Sequence, residues 1–202
     1  MNQDKLGIRT NLLQLEEAKQ QVFRAFAGVR LENGIGFYEA GAIDDRFNPS
    51  DVEYLEEKAR DERDDWTKVF SMLESLDCFD QNRHCFMDAK GLHFYLPIVL
   101  LLSDSVANDS ILMRGVIDKR PQNLELMQLL TLEQKKSILN LLVADIDYDA
   151  SISYFENFKG PICVSCGKIR FPASYTAEEA INEVETSDEF LLLKFLESHL
   201  QL

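Results

Sequence analysis

Between residues 11 and 30, Leu12, Leu15, Ala18, Val22, Phe23, Phe26 and Val29 recur at helical spacing, with Glu16, Lys19 and Arg24 between them. That spacing predicts an amphipathic helix, and Asn33-Gly34 stands a few residues past its end. Residues 35–43 show no clear period and read as extended or irregular. Ser50 and Glu53 form a capping-box pattern for a second helix over residues 51–64, on which Glu56 and Arg60 are spaced to pair. Trp66, Val69, Phe70 and Leu73 follow as core positions, and residues 77–91 are polar and turn-rich. Phe94-Tyr95-Leu96-Pro97 opens a third helix, because proline is well tolerated in a first turn. Residues 103–123, with Asn108-Asp109, Gly115 and Pro121, read as a loop. Thr131 and Gln134 then cap a fourth helix carrying Ile138, Leu139, Leu142 and Val143. Two further helices are predicted to start at Thr176 and Thr186, each with a glutamate three residues on.

The pattern changes after Asp145. Ile146, Tyr148, Ala150, Ile152 and Tyr154 alternate with Asp147, Asp149, Ser151 and Ser153, which is the period of a half-buried strand. With a turn near residues 157–160, this predicts a β-hairpin over residues 146–171, too small to stand without packing on a helix. The expected fold is α+β and predominantly helical: a single domain with a small β-hairpin in the C-terminal third. Its parts are a flexible tail (1–10), a helical core (11–145), a hairpin insertion (146–173) and C-terminal helices (174–202).

Composition narrows the partners. A chain of 202 residues that is 46% hydrophobic can bury one good core. Against 21 basic residues stand 35 acidic ones, a formal charge of −14 that argues against nucleic acid and anionic membranes. Basic proteins and cations remain. The longest apolar run, residues 94–102, contains Pro97 and is too short to span a bilayer. Met-Asn-Gln-Asp-Lys at the start lacks the character of a signal peptide, so a cytoplasmic location is expected. There the four cysteines would be thiols or metal ligands rather than disulfides.

Two motifs carry candidate chemistry. Asp145, Asp147, Asp149, Ser151 and Glu156 occupy positions one, three, five, seven and twelve of a calcium loop. Ala150 stands where such a loop needs glycine, and the strand is the preferred alternative for the segment. Cys163 and Cys166, followed by Gly167, make half of a tetrahedral zinc site. Two of Cys78, His84 and Cys85 would have to complete it. Catalytic signatures are missing: there is no phosphate-cradling glycine loop, no Gly-x-Ser-x-Gly and no paired histidine spacing. His84 and Cys85 are adjacent, and neighbouring side chains seldom meet as base and nucleophile.

Several blocks resemble a functionally uncharacterised family of small bacterial cytosolic proteins. They are Ala25-Phe26-Ala27-Gly28-Val29, Glu39-Ala40 followed by Ile43-Asp44-Asp45, Ala59-Arg60-Asp61 with Asp65-Trp66, Leu130-Thr131 through Gln134 to Leu142, and above all Asp88-Ala89-Lys90-Gly91-Leu92-His93-Phe94-Tyr95-Leu96-Pro97. The likeness covers roughly residues 20–143, implies a bacterial origin and one continuous domain, and carries over no catalytic residue.

These features point to a non-enzymatic acidic binding protein, of the immunity or inhibitor kind, for a basic partner. The expected contact face is Glu178, Glu179, Glu183, Glu185, Asp188 and Glu189, in a stretch with six acids and no base. The alternative is a metal-dependent enzyme or metal-binding protein using residues 145–166. An enzyme should show a concave site near Asp44, Tyr95 or the thiols.

Overall fold

A computed structural model describes residues 3–73, 81–102 and 121–157. Among these the chain forms seven α-helices and one 3-10 turn, and no strand. The helices are α1 (Gln3–Ala25), α2 (Phe37–Asp44), α3 (Val52–Arg60), α4 (Trp66–Met72), α5 (Ala89–Leu102), α6 (Pro121–Leu129) and α7 (Leu132–Asn157). The 3-10 turn, Gln81–Phe86, precedes α5.

The expected α+β class is therefore overturned. Residues 146–157, expected as the first strand of a hairpin, are the last turns of α7. Once α7 is nucleated, each further residue adds a hydrogen bond at little cost. Tyr148, Ile152 and Phe155 also stand at i, i+4 and i+7, so the alternating segment satisfies helical spacing too. Its aspartates are poor strand formers. The proposed turn and second strand lie outside the described residues, as do the helices predicted from Thr176 and Thr186.

α5 is the centre of the core. Phe94 through Leu100 are all buried, and a helix that is apolar all round belongs inside. It packs against α1, α4 and α6. The most extensive pairing is between α1 and α7. α1 contributes Leu15, Ala18, Val22 and Phe26, while α7 contributes Ile138, Leu141 and Leu142. Val143, expected in the core, is exposed: the buried face runs through Gln134, Ser137, Ile138 and Leu141, which turns Val143 outward.

Local signals set some boundaries and missed others. α7 is capped as predicted: the Gln134 N–H donates to Thr131 Oγ1 at 3.2 Å, and the Thr131 N–H to Gln134 Oε1 at 3.0 Å. α1 starts at Gln3, so residues 3–10, expected as a tail, extend it. α5 starts at Ala89, which places Pro97 inside the helix rather than in its first turn. Asp88 makes the earlier start: its Oδ1 accepts from the Gly91 N–H at 2.8 Å and, across the chain, from the Ile35 N–H at 3.0 Å. The approach is so close that a Cβ on Gly91 would overlap the Ile35 carbonyl oxygen. In α3 the N-cap is Asp51, not Ser50, and its carboxylate accepts from the Asn48 backbone N–H at 2.7 Å. The ion pair on this helix joins Arg60 to Glu57 at 2.6 Å, one turn position away from the expected Glu56.

Candidate functional site

The short helices α2 and α3 meet around a concentration of buried polar groups, which Tyr95 of α5 and Arg63 complete. α2 begins after Gly36, whose backbone leaves the N-terminal amides of the helix without a cap of their own. Asp61 supplies the cap from beyond the end of α3. Its carboxylate accepts from the Tyr38 N–H at 2.9 Å and the Glu39 N–H at 3.1 Å. The Tyr95 hydroxyl, reaching in from α5, donates to the same carboxylate at 3.3 Å and accepts from the Phe37 N–H at 3.2 Å. Only glycine fits at position 36, because a Cβ there would overlap the Asp61 carboxylate. This task explains why α3 stops at Arg60: Asp61 leaves the helix with extended backbone (ψ 124°) and turns its side chain towards α2.

One turn into α2, Glu39 is buried, with 3% of its side chain exposed. Its carboxylate accepts from the Tyr54 hydroxyl and from Lys58 Nζ, each at 2.6 Å, and from Arg63 Nη2 at 3.3 Å. Arg63 also donates through Nη1 to the carbonyls of Glu32 and Gly34, at 2.8 and 3.2 Å. Every polar group in the cluster thus holds one segment of backbone or side chain to another.

The electrostatics follow from these partners. Burial, the largest influence on Glu39, pushes its carboxyl up, but hydrogen bonds from Lys58 and Tyr54 and the charges of Lys58 and Arg63 outweigh it. The net result is below the ordinary value. For Asp61 burial wins, so its carboxyl lies above the usual range although the two amides of α2 oppose the rise. Burial and the Glu39 carboxylate raise the Tyr54 hydroxyl to about 12. Tyr95 is raised as well, by burial first and by Asp61 second. Neither phenol ionises near neutral pH, and the carboxylates are engaged by fixed donors. The cluster ties α2, α3 and α5 to one another.

A second polar contact joins α5 to the start of α7. His93 Nε2 and Gln134 Oε1 are 3.1 Å apart. That oxygen already faces the Thr131 N–H, so it is the acceptor, and Nε2 carries the proton. Burial lowers the His93 imidazole below its usual value. It acts as a neutral donor that ties the cap of α7 to the core.

The structure describes only some of the predicted site residues. Tyr95 is enclosed in the core, while Asp44 is exposed at the end of α2. Two open grooves, of about 570 and 370 Å³, run between α1 and α7 and not beside either residue. They are spanned by a bond from Asn140 Nδ2 to Gln21 Oε1 at 2.8 Å. His84 and Cys85, dismissed as neighbours, do meet: Sγ lies 3.4 Å from His84 Nε2 in the 3-10 turn. Cys78, Cys163 and Cys166 lie outside the described residues, as does the whole acidic stretch 178–189. Asp145 is buried, and residues 145–156 are helical where a calcium loop would need to curl around an ion. Among the described residues no three His, Cys, Asp or Glu side chains stand together as a metal site.

No described helix is long and apolar enough to cross a membrane. Neither the curated proteins nor the solved structures contain a match to this chain. Residues 14–157 match a family of unknown function, DUF6714, a stretch that reaches beyond residue 143 to the last described turn of α7. The chain belongs to that family.

Proposed function

We propose that this protein is a non-enzymatic binding protein of the immunity or inhibitor type, which engages a basic protein partner. What carries this is the contrast between inside and outside. The buried carboxylates, phenols and imidazole are engaged in holding helices together, while the chain as a whole carries a charge of −14. Catalysis needs polar groups that converge on an open site, and among the described residues the two grooves between α1 and α7 lie away from the buried carboxylates. An excess of negative charge steers a cationic partner and speeds encounter, an effect that salt weakens. The test is affinity capture with the full chain at low and high salt, with mass spectrometry of what is retained. A basic protein held at low salt and released as salt rises is the expected result. Retention that is indifferent to salt, or confined to acidic proteins, overturns the proposal.

A further inference from the structure

The solvent-facing side of α3 carries an apolar stripe among its charged residues. Tyr54 and Lys58 turn inward to Glu39, so the outer face passes through Val52, Leu55 and Ala59, spaced i, i+3 and i+7. Val52 is 65% exposed and Leu55 52%, and Ala59 is exposed too. Glu53 and Glu56 are exposed on the same helix, and among the described residues neither is in an ion pair. The basic groups of α3 are occupied elsewhere. Lys58 is held by Glu39, while Arg60 pairs with Glu57 and lies over the Tyr38 ring at 3.9 Å. The outcome is an apolar stripe with an acidic border.

We infer that this face of α3 is a docking surface for a basic amphipathic helix of the partner. This rests on the binding role proposed above and gives it a location. The stripe offers a partner helix three contacts at the spacing that helices read, and Glu53 and Glu56 sit where flanking lysines or arginines would reach. A second copy of the chain is a poor occupant, because each copy brings −14 to an interface that is acidic already. The positions are outside the core, so they can be changed without removing packing that the fold requires.

The probe is a synthetic helical peptide with a leucine stripe flanked by lysines, titrated into the full chain and followed by fluorescence anisotropy. Val52→Gln with Leu55→Gln, which leaves the charge unchanged, should weaken binding about tenfold, as loss of central apolar anchors does. Glu53→Gln with Glu56→Gln should weaken it about threefold at low salt and have no effect at high salt. Hydrogen exchange on the unaltered protein should show peptide-dependent protection over residues 52–60, a readout that needs no variant. Binding that survives the apolar double variant but is lost on Glu178→Gln with Glu179→Gln would overturn the α3 surface and leave the basic-partner role standing. A self-association of the unaltered chain that Val52→Gln and Leu55→Gln abolish would replace the basic helix by a second copy and also overturn it. If the unaltered chain ignores the peptide at low salt, the α3 surface is overturned, while salt-dependent capture of a basic protein still decides the binding role.

Discussion

α1, α5 and α7 are long helices packed through apolar faces, whereas the short helices α2, α3 and α4 are held at their ends by hydrogen bonds, α2 to the end of α3 and α4 to the end of α1. The long helices have 23, 14 and 26 residues, enough turns to present a continuous stripe to one another. The short ones have eight, nine and seven, too few to stand on intrinsic propensity. α3 buries one large side chain, Tyr54, and α4 buries Trp66. What they lack in apolar surface is made up at their ends. Asp61 caps α2, Asp65 caps α4 by accepting from the Thr67 N–H at 3.0 Å, and Trp66 Nε1 donates to the Phe26 carbonyl at the end of α1. A pair of groups buried this way is costly to break from one side, since the survivor keeps its burial and loses its partner.

The largest effect should come from the apolar half. Phe26 is fully buried in the main core, and Phe26→Ala should cost about 3–5 kcal/mol by urea unfolding, with no dependence on salt. A loss that shrinks as salt rises would erase the distinction between the two regions.

The polar half should answer to pH, and its two carboxylates in opposite senses. Glu39 has a folded value below its ordinary 4.5, so its contribution is full above that pH and is lost as pH falls through the folded value. Asp61 has a folded value above its ordinary 3.8, so its contribution is full below 3.8 and is lost as pH rises through the folded value. The penalty of Glu39→Gln, relative to the unaltered protein, should therefore fade on acidification, while that of Asp61→Asn should grow. Each penalty should reach about 1–3 kcal/mol at its maximum. Urea midpoints collected across the acid range check this, and parallel curves for the two variants would show that one shared event governs both.

A smaller effect belongs to the cap of α7. Thr131→Ala should cost about 1 kcal/mol and raise exchange of the first-turn amides of α7, with α2 unaffected. If amides in α2 respond equally, the two regions are coupled more tightly than their contacts imply.

These same residues show what was readable in the chain. Thr131 and Gln134 were legible because both partners lie within one turn, as was the apolar stripe of α1. The end of α7 was misread because residues 146–154 fit two periods, and the deciding fact, a helix already under way, lies upstream. The Asp61 cap could not be read at all: its acceptor and donors are 22 and 23 residues apart, and Tyr95 is 34 away. Nothing in the local string Ala59-Arg60-Asp61 distinguishes a carboxylate that will be buried from one left in water. Gly36 was the nearest available hint, since a glycine directly before a helix invites the question of what approaches it. Equally, the His84 and Cys85 contact depends on a 3-10 turn, whose tighter winding the sequence pattern did not announce.

The pairing of α1 with α7 also has a bearing on how the chain comes into being. Asn140 and Gln21, which bond across that pair, are 119 residues apart. On the ribosome, α1 emerges before α7 and must wait for most of the family region before that partner helix appears. Through that interval Leu15, Ala18 and Val22 are without the surface that covers them in the finished fold. A nascent chain halted before α7 therefore exposes the sticky face of α1, and completion of α7 is the event that covers it.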